Sequence, residues 1–149
     1  MKVNNFVLMV VKLSASFICA ILTVPFSIAA HAGDLIVVVE NIKSEQGNVR
    51  AAVFNNATTF TKTPLLGQFV SAKIGTVSII FKDLPAGQYA VSAFQDLNGN
   101  DKLDRNFVGK PVEPYGFSRD ARGTFGPPSF EEAMIQIDDA VKTVAFSVK

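Results

Sequence analysis

The segment from Asp96 to Asp104 carries oxygen-bearing side chains at alternate positions, a spacing that suits the binding of a hard cation. Its sequence is DLNGNDKLD. The candidate ligands are the side chains of Asp96, Asn98, Asn100 and Asp104 and the backbone carbonyl of Lys102. A tightly curling backbone directs alternate side chains toward one centre. The pattern therefore indicates a calcium site similar to the calcium-binding loop of a helix–loop–helix unit.

The match to that calcium loop fails at two positions. Asp101 stands where the sharp turn requires glycine, and Phe107 stands where a bidentate glutamate is usual. Glu113 or Asp120 would have to fold back to replace that glutamate. The alternative is a plain turn, in which Asp and Asn side chains accept hydrogen bonds from nearby backbone N–H groups. Calcium is the one cofactor that the sequence suggests, and the plain turn stays open beside it.

The first 32 residues have the parts of a secretory signal peptide in their usual order. Two lysines come first, Leu13–Val24 is an uncharged, mostly apolar run, and Ala30–Ala32 (AHA) is a small-residue cleavage signal. The uncharged run is too short to span a bilayer, so we expect cleavage after Ala32 and no remaining transmembrane anchor. The mature chain would be a single domain of residues 33–149, exported to the periplasm or the outside of the cell.

The mature chain would contain neither cysteine nor histidine, because Cys19 and His31 are the only ones in the sequence. Disulfides, Cys or His nucleophile–base pairs, and the common zinc and copper sites would then be excluded. Removing Lys2 and Lys12 leaves 12 basic and 13 acidic residues, a net charge of −1. Without a positive excess, nucleic acid is not expected as a partner. The chemistry that remains belongs to carboxylates, amides, hydroxyls and carbonyls.

Alternating apolar residues in the mature chain predict strands, and no stretch shows sustained helical periodicity. The predicted strands are Asp34–Ile42, Val49–Asn55, Gln68–Lys73, Thr76–Lys82, Gln88–Asp96, Glu131–Ile137 and Thr143–Val148. We expect the first two to form a hairpin across a short glycine-containing turn, and the third to lie at a sheet edge. About seven short strands separated by turn signals predict an all-β sandwich.

The long segment between the fifth and sixth predicted strands is dense in glycine, proline and aromatic residues. Loops of this length in compact domains are functional or disordered, and aromatic richness argues against disorder. We expect Tyr115, Phe117, Phe125 and Phe130 to fold the loop back onto the sheet as an ordered lid. The alternative is a shallow ligand groove for a glycan or peptide, which requires exposed Tyr115 and Phe117. Its candidate residues are Glu113, Tyr115, Phe117, Arg119 and Arg122.

Four sequence blocks, in order, carry a resemblance to a known family: GNVRAAVFN, LPAGQYAVSAFQDLNGNDKLD, GKPVEPYGFS and FGPPSFEEA. Over nearly all of the mature chain they resemble a bacterial secreted family known as domain of unknown function 2141. The Gly-x-Tyr at Gly87–Tyr89 also resembles transthyretin-like and carboxypeptidase regulatory-like domains. The resemblance implies a secreted or periplasmic Greek-key sandwich, immunoglobulin- or transthyretin-like, with one long loop. It implies no established activity, so no catalytic residue is assigned.

Three functions stay open from the sequence. The first is a non-enzymatic module of the cell envelope, with an envelope protein or glycan as its partner and calcium as a structural ion. The second is a hydrolase that uses two carboxylates as acid and base, because such a pair needs neither histidine nor cysteine. Its candidate residues are Asp96, Asp104, Glu113 and Asp120. The third is a carbohydrate- or peptide-binding module that uses the aromatic loop.

Overall fold

The computed structural model describes residues 32–138 and 140–149, so the predicted signal peptide lies outside the described residues except for Ala32. The strands are β1 (Ala32–Ile42), β2 (Asn48–Phe54), β3 (Leu66–Ser71), β4 (Gly75–Pro85), β5 (Gly87–Asp96), β6 (Tyr115–Phe117), β7 (Met134–Ile137) and β8 (Lys142–Ser147). A 3-10 turn spans Ser118–Asp120, and one short helix, α1, spans Phe130–Ala133. None of the helices in the described ranges has the length and apolar character that a bilayer crossing requires.

The strands form two sheets that pack against each other. One sheet has the order β4–β1–β8, in which β1 and β8 run parallel. The other has the order β3–β2–β5–β6, and β7 pairs with the same edge of β5 as β6 does, closer to its start. The predicted all-β sandwich is confirmed, and β3 lies at a sheet edge as expected.

The main core lies between the two sheets and is built from alternate residues of the long strands. The alternating apolar residues of three predicted strands are buried: Val77, Ile79 and Phe81; Tyr89, Val91 and Ala93; Val144, Phe146 and Val148. Three alternate residues of β1, namely Leu35, Val37 and Val39, are fully buried among them. Since burial of each such side chain stabilises the fold by about 1.5–3 kcal/mol, this alternation decides which face of each strand turns inward.

The predicted hairpin between the first two strands is wrong. β1 pairs with β4 and β8, whereas β2 pairs with β3 and β5 in the opposite sheet. The short connection between β1 and β2 therefore crosses from one sheet to the other. Gly47 in this connection has a φ of 70°, and a Cβ there would overlap the carbonyl oxygen of Asp96. A short glycine-containing turn suits both a hairpin and a crossing, so the local sequence does not distinguish them.

The segment Glu131–Ile137, predicted as one strand, begins as helix α1 and forms strand β7 only from Met134. The Ser129 hydroxyl accepts a hydrogen bond from the Glu132 N–H at 3.2 Å, and the Glu132 carboxylate accepts one from the Ser129 N–H at 2.7 Å. This reciprocal capping box satisfies two backbone donors and starts a helical turn. Its sequence signal, Ser-x-x-Glu, is present at residues 129–132.

The main chain after β8 joins the two sheets. The Tyr115 N–H donates to the Lys149 carbonyl at 3.2 Å, and the Lys149 N–H donates to the Tyr115 carbonyl at 3.1 Å. Next to this pair, a Cβ on Gly116 would overlap the Ser147 carbonyl oxygen. Glycine at position 116 therefore permits the close approach of β6 to β8, and Tyr115 is paired with β5 on one side and with Lys149 on the other.

Ser118, which is fully buried, stabilises the position on β5 where the pairing partner along one edge changes from β7 to β6. Its hydroxyl accepts a hydrogen bond from the Val91 N–H at 3.0 Å and donates one to the Ala133 carbonyl. The residues of β5 before Val91 pair with β7, and those after it pair with β6. The serine therefore supplies the hydrogen-bond partner that neither short strand offers at Val91.

Replacing Ser118 by alanine is expected to lower the free energy of unfolding by about 2 kcal/mol, because the Val91 N–H then stays buried without a partner. Urea denaturation of both proteins measures the difference. The control is Ser71→Ala on the exposed edge strand β3, which should change stability by less than about 0.5 kcal/mol. Equal losses for the two variants would contradict the role assigned to Ser118.

Candidate functional site

Asp96, the last residue of β5 and the first predicted calcium ligand, is fully buried and caps the turn that follows. Its Oδ1 accepts hydrogen bonds from the N–H groups of Gly99 at 2.7 Å and Asn100 at 3.2 Å. Its Oδ2 accepts one from the Asp101 N–H at 2.9 Å, and the Arg50 guanidinium lies 3.8 Å from the same oxygen. The carboxylate is therefore surrounded by donors from the protein itself.

The structure brings Asn98, Asn100 and Asp104 together on the same turn. The Nδ2 atoms of Asn98 and Asn100 donate to the two oxygens of the Asp104 carboxylate at 2.6 and 2.9 Å. Their Oδ1 atoms accept hydrogen bonds from the N–H groups of Asn100 and Lys102, respectively. These are the local side chain–backbone bonds of the plain turn that the sequence left open beside calcium.

Asp101 adopts the left-handed backbone conformation that favours glycine at this position of a calcium loop. Its φ is 66°, and its exposed carboxylate forms an ion pair with Arg50 on β2. Aspartate tolerates this conformation better than most residues, so the turn can close without glycine. Within residues 32–138 and 140–149, no group of three or more His, Cys, Asp or Glu side chains is arranged to hold a metal ion.

Glu113 does fold back toward the turn, but it contacts backbone there. One carboxylate oxygen accepts a hydrogen bond from the Leu97 N–H at 2.8 Å, and the other accepts one from the Asp104 N–H at 3.0 Å. Glu113 is buried, and it ties the two ends of the turn together. Asp120 lies at a different place, where its Oδ1 accepts a hydrogen bond from the Ser147 N–H of β8 at 2.9 Å.

A small hairpin at residues 105–111 follows the turn. The Asn106 N–H donates to the Lys110 carbonyl at 2.9 Å, and the Asn106 side-chain oxygen accepts from the Lys110 N–H at 3.0 Å. The Arg105 guanidinium donates to the Gly109 carbonyl at 2.9 Å, and Gly109 has a φ of 82°. The asparagine and the glycine were the available sequence signals for this turn.

A second apolar cluster covers part of the outer face of the five-stranded sheet. Phe60 lies at its centre, with its ring centroid 5.3 Å from that of Phe54 and 5.8 Å from those of Phe117 and Phe130. All three contacts are edge-to-face, the arrangement that aromatic rings prefer. Part of the long loop therefore folds onto the sheet as predicted, whereas Phe125 is fully exposed. Phe60 itself comes from a threonine-rich loop and has no local sequence signal of burial.

A groove of about 530 Å³ lies beside this cluster on the same face of the sheet. Its floor includes Ser92 and Phe94 of β5 and Tyr115 of β6. Further lining residues come from the hairpin 105–111, which precedes β6, and from the loop 123–127, which follows it. Among the described lining residues the charged ones are Arg105 and Lys110, both basic.

Only two of the predicted groove residues, Tyr115 and Phe117, line this groove. Tyr115 is half-buried, but Phe117 is only 6% exposed, so the exposed ring that the glycan or peptide hypothesis required at that position is not present. Arg119 reaches a backbone carbonyl of α1 at 3.4 Å, and Arg122 reaches one of β8 at 3.5 Å. The basic groove residues Arg105 and Lys110 were therefore not those chosen from the sequence.

The sequence model of a bacterial family, described as "Uncharacterized protein conserved in bacteria (DUF2141)", matches residues 37–145. The chain belongs to the DUF2141 family. The matched range includes the turn after β5 and every described residue that lines the groove, so both are parts of the DUF2141 domain. Neither the curated proteins nor the solved structures include a significant match to the chain. The resemblance to transthyretin-like domains stays a prediction.

Proposed function

We propose that this DUF2141 domain is a non-catalytic module that binds an amphipathic anion in the groove on its five-stranded sheet. The observation that carries the proposal is the combination of aromatic lining residues with Arg105 and Lys110. Rings such as Phe94 and Tyr115 offer apolar contact area, and the two basic side chains offer charge-assisted hydrogen bonds to an acidic group. A ligand with an aromatic or aliphatic body and one anionic group fits this lining.

The position of Arg105 supports an anionic ligand. One of its guanidinium nitrogens is fixed by the Gly109 carbonyl, which limits the rotamers of the side chain before any ligand arrives. A guanidinium that is already ordered loses less side-chain entropy when it binds a carboxylate, sulfate or phosphate group. Within the part of the chain that the structure describes, the ion pairs involve Arg50 and Lys82 rather than Arg105 or Lys110.

The carboxylates support a binding module more than a hydrolase. Asp96, Glu113 and Asp120 each accept backbone N–H groups, and Asp104 accepts two side-chain amides. A pair acting as acid and base would have to give up these bonds, and none of the four carboxylates is among the described lining residues of the groove. The observations therefore favour binding without chemistry.

Binding of the aromatic sulfonate 1-anilinonaphthalene-8-sulfonate, measured by its fluorescence, tests the proposal. We expect Ser92→Phe, which fills the floor of the groove, to weaken binding about tenfold or more, a loss of about 1.4 kcal/mol. Lys110→Gln should weaken binding of the sulfonate but not of its uncharged analogue N-phenyl-1-naphthylamine, because the lost contact is electrostatic.

Ile74→Ser is the matched control, because it removes an exposed apolar side chain that does not line the groove. This variant should bind the sulfonate as the unmodified protein does. If Ser92→Phe and Ile74→Ser both leave binding unchanged, the groove is not the site. A folded Ser92→Phe protein, checked by its melting temperature, is required for the comparison.

We further propose that the domain is exported and that cleavage leaves Gly33 as its first residue. The signal-peptide pattern of the first 32 residues supports this proposal. We expect protein from the periplasm or medium of a bacterial culture to have the mass of residues 33–149. A mass that includes the first 32 residues would contradict cleavage after Ala32.

The calcium hypothesis makes a separate prediction about thermal stability. Because the oxygens of Asp96 and both asparagines already accept N–H groups, we expect the same melting temperature in about 1 mM calcium and in chelator. A site with a Kd of about 10⁻⁴ M would instead add about 1.4 kcal/mol, or roughly 5 °C, at that concentration. Such a rise, lost in Asp104→Asn, would establish Asp96, Asn98, Asn100, Lys102 and Asp104 as a calcium site.

A further inference from the structure

Two loop tips beside the groove expose large apolar side chains to water. Phe107, at the tip of the hairpin 105–111, is 99% exposed, and Phe125, at the tip of the loop 123–127, is 103% exposed. Val108, next to Phe107, is 68% exposed. Single exposed apolar residues are ordinary, but two fully exposed phenylalanines in loops that line one groove are not.

Both tips are shaped by tight backbone turns. In the hairpin, the Asn106 side-chain oxygen accepts hydrogen bonds from the N–H groups of Val108 at 3.1 Å and Lys110 at 3.0 Å. Phe107, which lies between Asn106 and Val108, is therefore presented by an ordered turn. In the second loop, a Cβ on Gly123 would overlap the carbonyl oxygens of Gly126 and Pro127, so the loop closes tightly behind Phe125. The exposure of the two rings therefore follows from defined turns.

Charge is distributed unevenly along the sequence of the domain. Residues 102–127 contain five basic and three acidic side chains, whereas the rest of residues 33–149 contains seven basic and ten acidic ones. Of the three acidic residues, Glu113 is buried and Asp120 accepts a backbone N–H of β8. The basic side chains that the structure places beside the tips are Arg105 and Lys110, which line the groove, and no acidic side chain is among the described lining residues.

We propose that Phe107 and Phe125 insert into the interfacial region of a membrane that contains anionic lipids, and that the neighbouring basic residues bind its headgroups. Interfacial binding is driven by apolar burial together with attraction between basic side chains and anionic lipids, and both are present here. Phenylalanine tips separated by a groove suit a deformable lipid surface. A protein interface is typically built around a well-packed apolar core, which two isolated rings do not provide.

Co-sedimentation with lipid vesicles tests this proposal with residues 33–149 as the protein. We expect it to bind vesicles that contain phosphatidylglycerol and to bind vesicles of phosphatidylcholine alone at least about fivefold more weakly, with added salt reducing the difference. The double variant Phe107→Ser, Phe125→Ser should bind phosphatidylglycerol vesicles at least about tenfold more weakly, because both apolar insertions are lost.

Two control variants distinguish insertion of the two rings from nonspecific apolar adsorption and from lipid binding in the groove. Ile74→Ser removes an exposed apolar side chain from the turn between β3 and β4, and it should bind vesicles normally. Ser92→Phe, which fills the groove, should also bind them normally, so failure of the proposed ligand groove would leave this result unaffected. The proposal is overturned if the unmodified protein does not sediment with either vesicle, or if the double variant sediments as well as Ile74→Ser does.

Discussion

Replacing Phe60 by alanine is expected to lower the free energy of unfolding by about 3–5 kcal/mol, a large part of the stability of a domain of this size. The ring is the centre of the outer aromatic cluster, in contact with Phe54, Phe117 and Phe130. Its removal leaves a cavity that three rings from different parts of the chain cannot all fill. Urea denaturation followed by circular dichroism measures the loss.

The matched control is Phe107→Ala, the same substitution at a fully exposed position. It should change the free energy of unfolding by less than about 0.5 kcal/mol, because no packed contact is lost. Since Phe117 is both a neighbour of Phe60 and a lining residue of the groove, Phe60→Ala should also weaken binding of the aromatic sulfonate. Similar stability for the two variants would show that the outer cluster contributes little.

Replacing Asp96 by alanine is expected to lower the free energy of unfolding by about 3–4 kcal/mol. The carboxylate accepts three backbone N–H groups in a fully buried position, and hydrogen bonds to a charged group contribute about 1.5–3 kcal/mol each before the turn relaxes. Alanine also leaves Arg50 without one of its two nearby carboxylates. Chemical denaturation measures the stability, and hydrogen exchange reports on the N–H groups of residues 99–101.

Two other variants make the Asp96 result specific. Asp101→Ala removes the exposed partner of the same arginine and should cost less than about 1 kcal/mol, because exposed ion pairs contribute little. Asp96→Asn keeps one acceptor oxygen and should fall between the two alanine variants. If Asp96→Ala were no less stable than Asp101→Ala, the turn would not depend on its buried carboxylate.

The strands could be predicted because successive side chains of a strand point to opposite faces of the sheet, so that buried and exposed residues alternate along the sequence. The alternation of Val77, Ile79 and Phe81 is visible in the sequence even when the neighbouring strands are unknown, since one face of a strand in a sandwich is buried. The partners themselves depend on distant residues. β1 pairs with β8 more than a hundred residues later, and no local feature of the connection after β1 reveals that it leaves the sheet.

The candidate site was harder to predict for a related reason. Asp96 and its neighbouring asparagines were found by their spacing, but the same oxygens serve a cation or a capped turn equally well. The arginine that lies against the turn comes from β2, 51 residues from Asp101. The groove is likewise built from β5, the hairpin 105–111 and the loop 123–127. The hairpin and the loop were predicted only as parts of one long segment, so Arg105 and Lys110 could not be assigned to the groove beforehand.

The parallel pairing of β1 with β8 has a mechanical consequence. The register runs from Leu35 opposite Lys142 to Glu40 opposite Ser147, so six residue pairs lie side by side. A force that pulls the chain at the start of β1 and at the end of β8 acts along these strands and loads the whole row of hydrogen bonds at once. The fold is thus arranged to resist shear between its first and last strands.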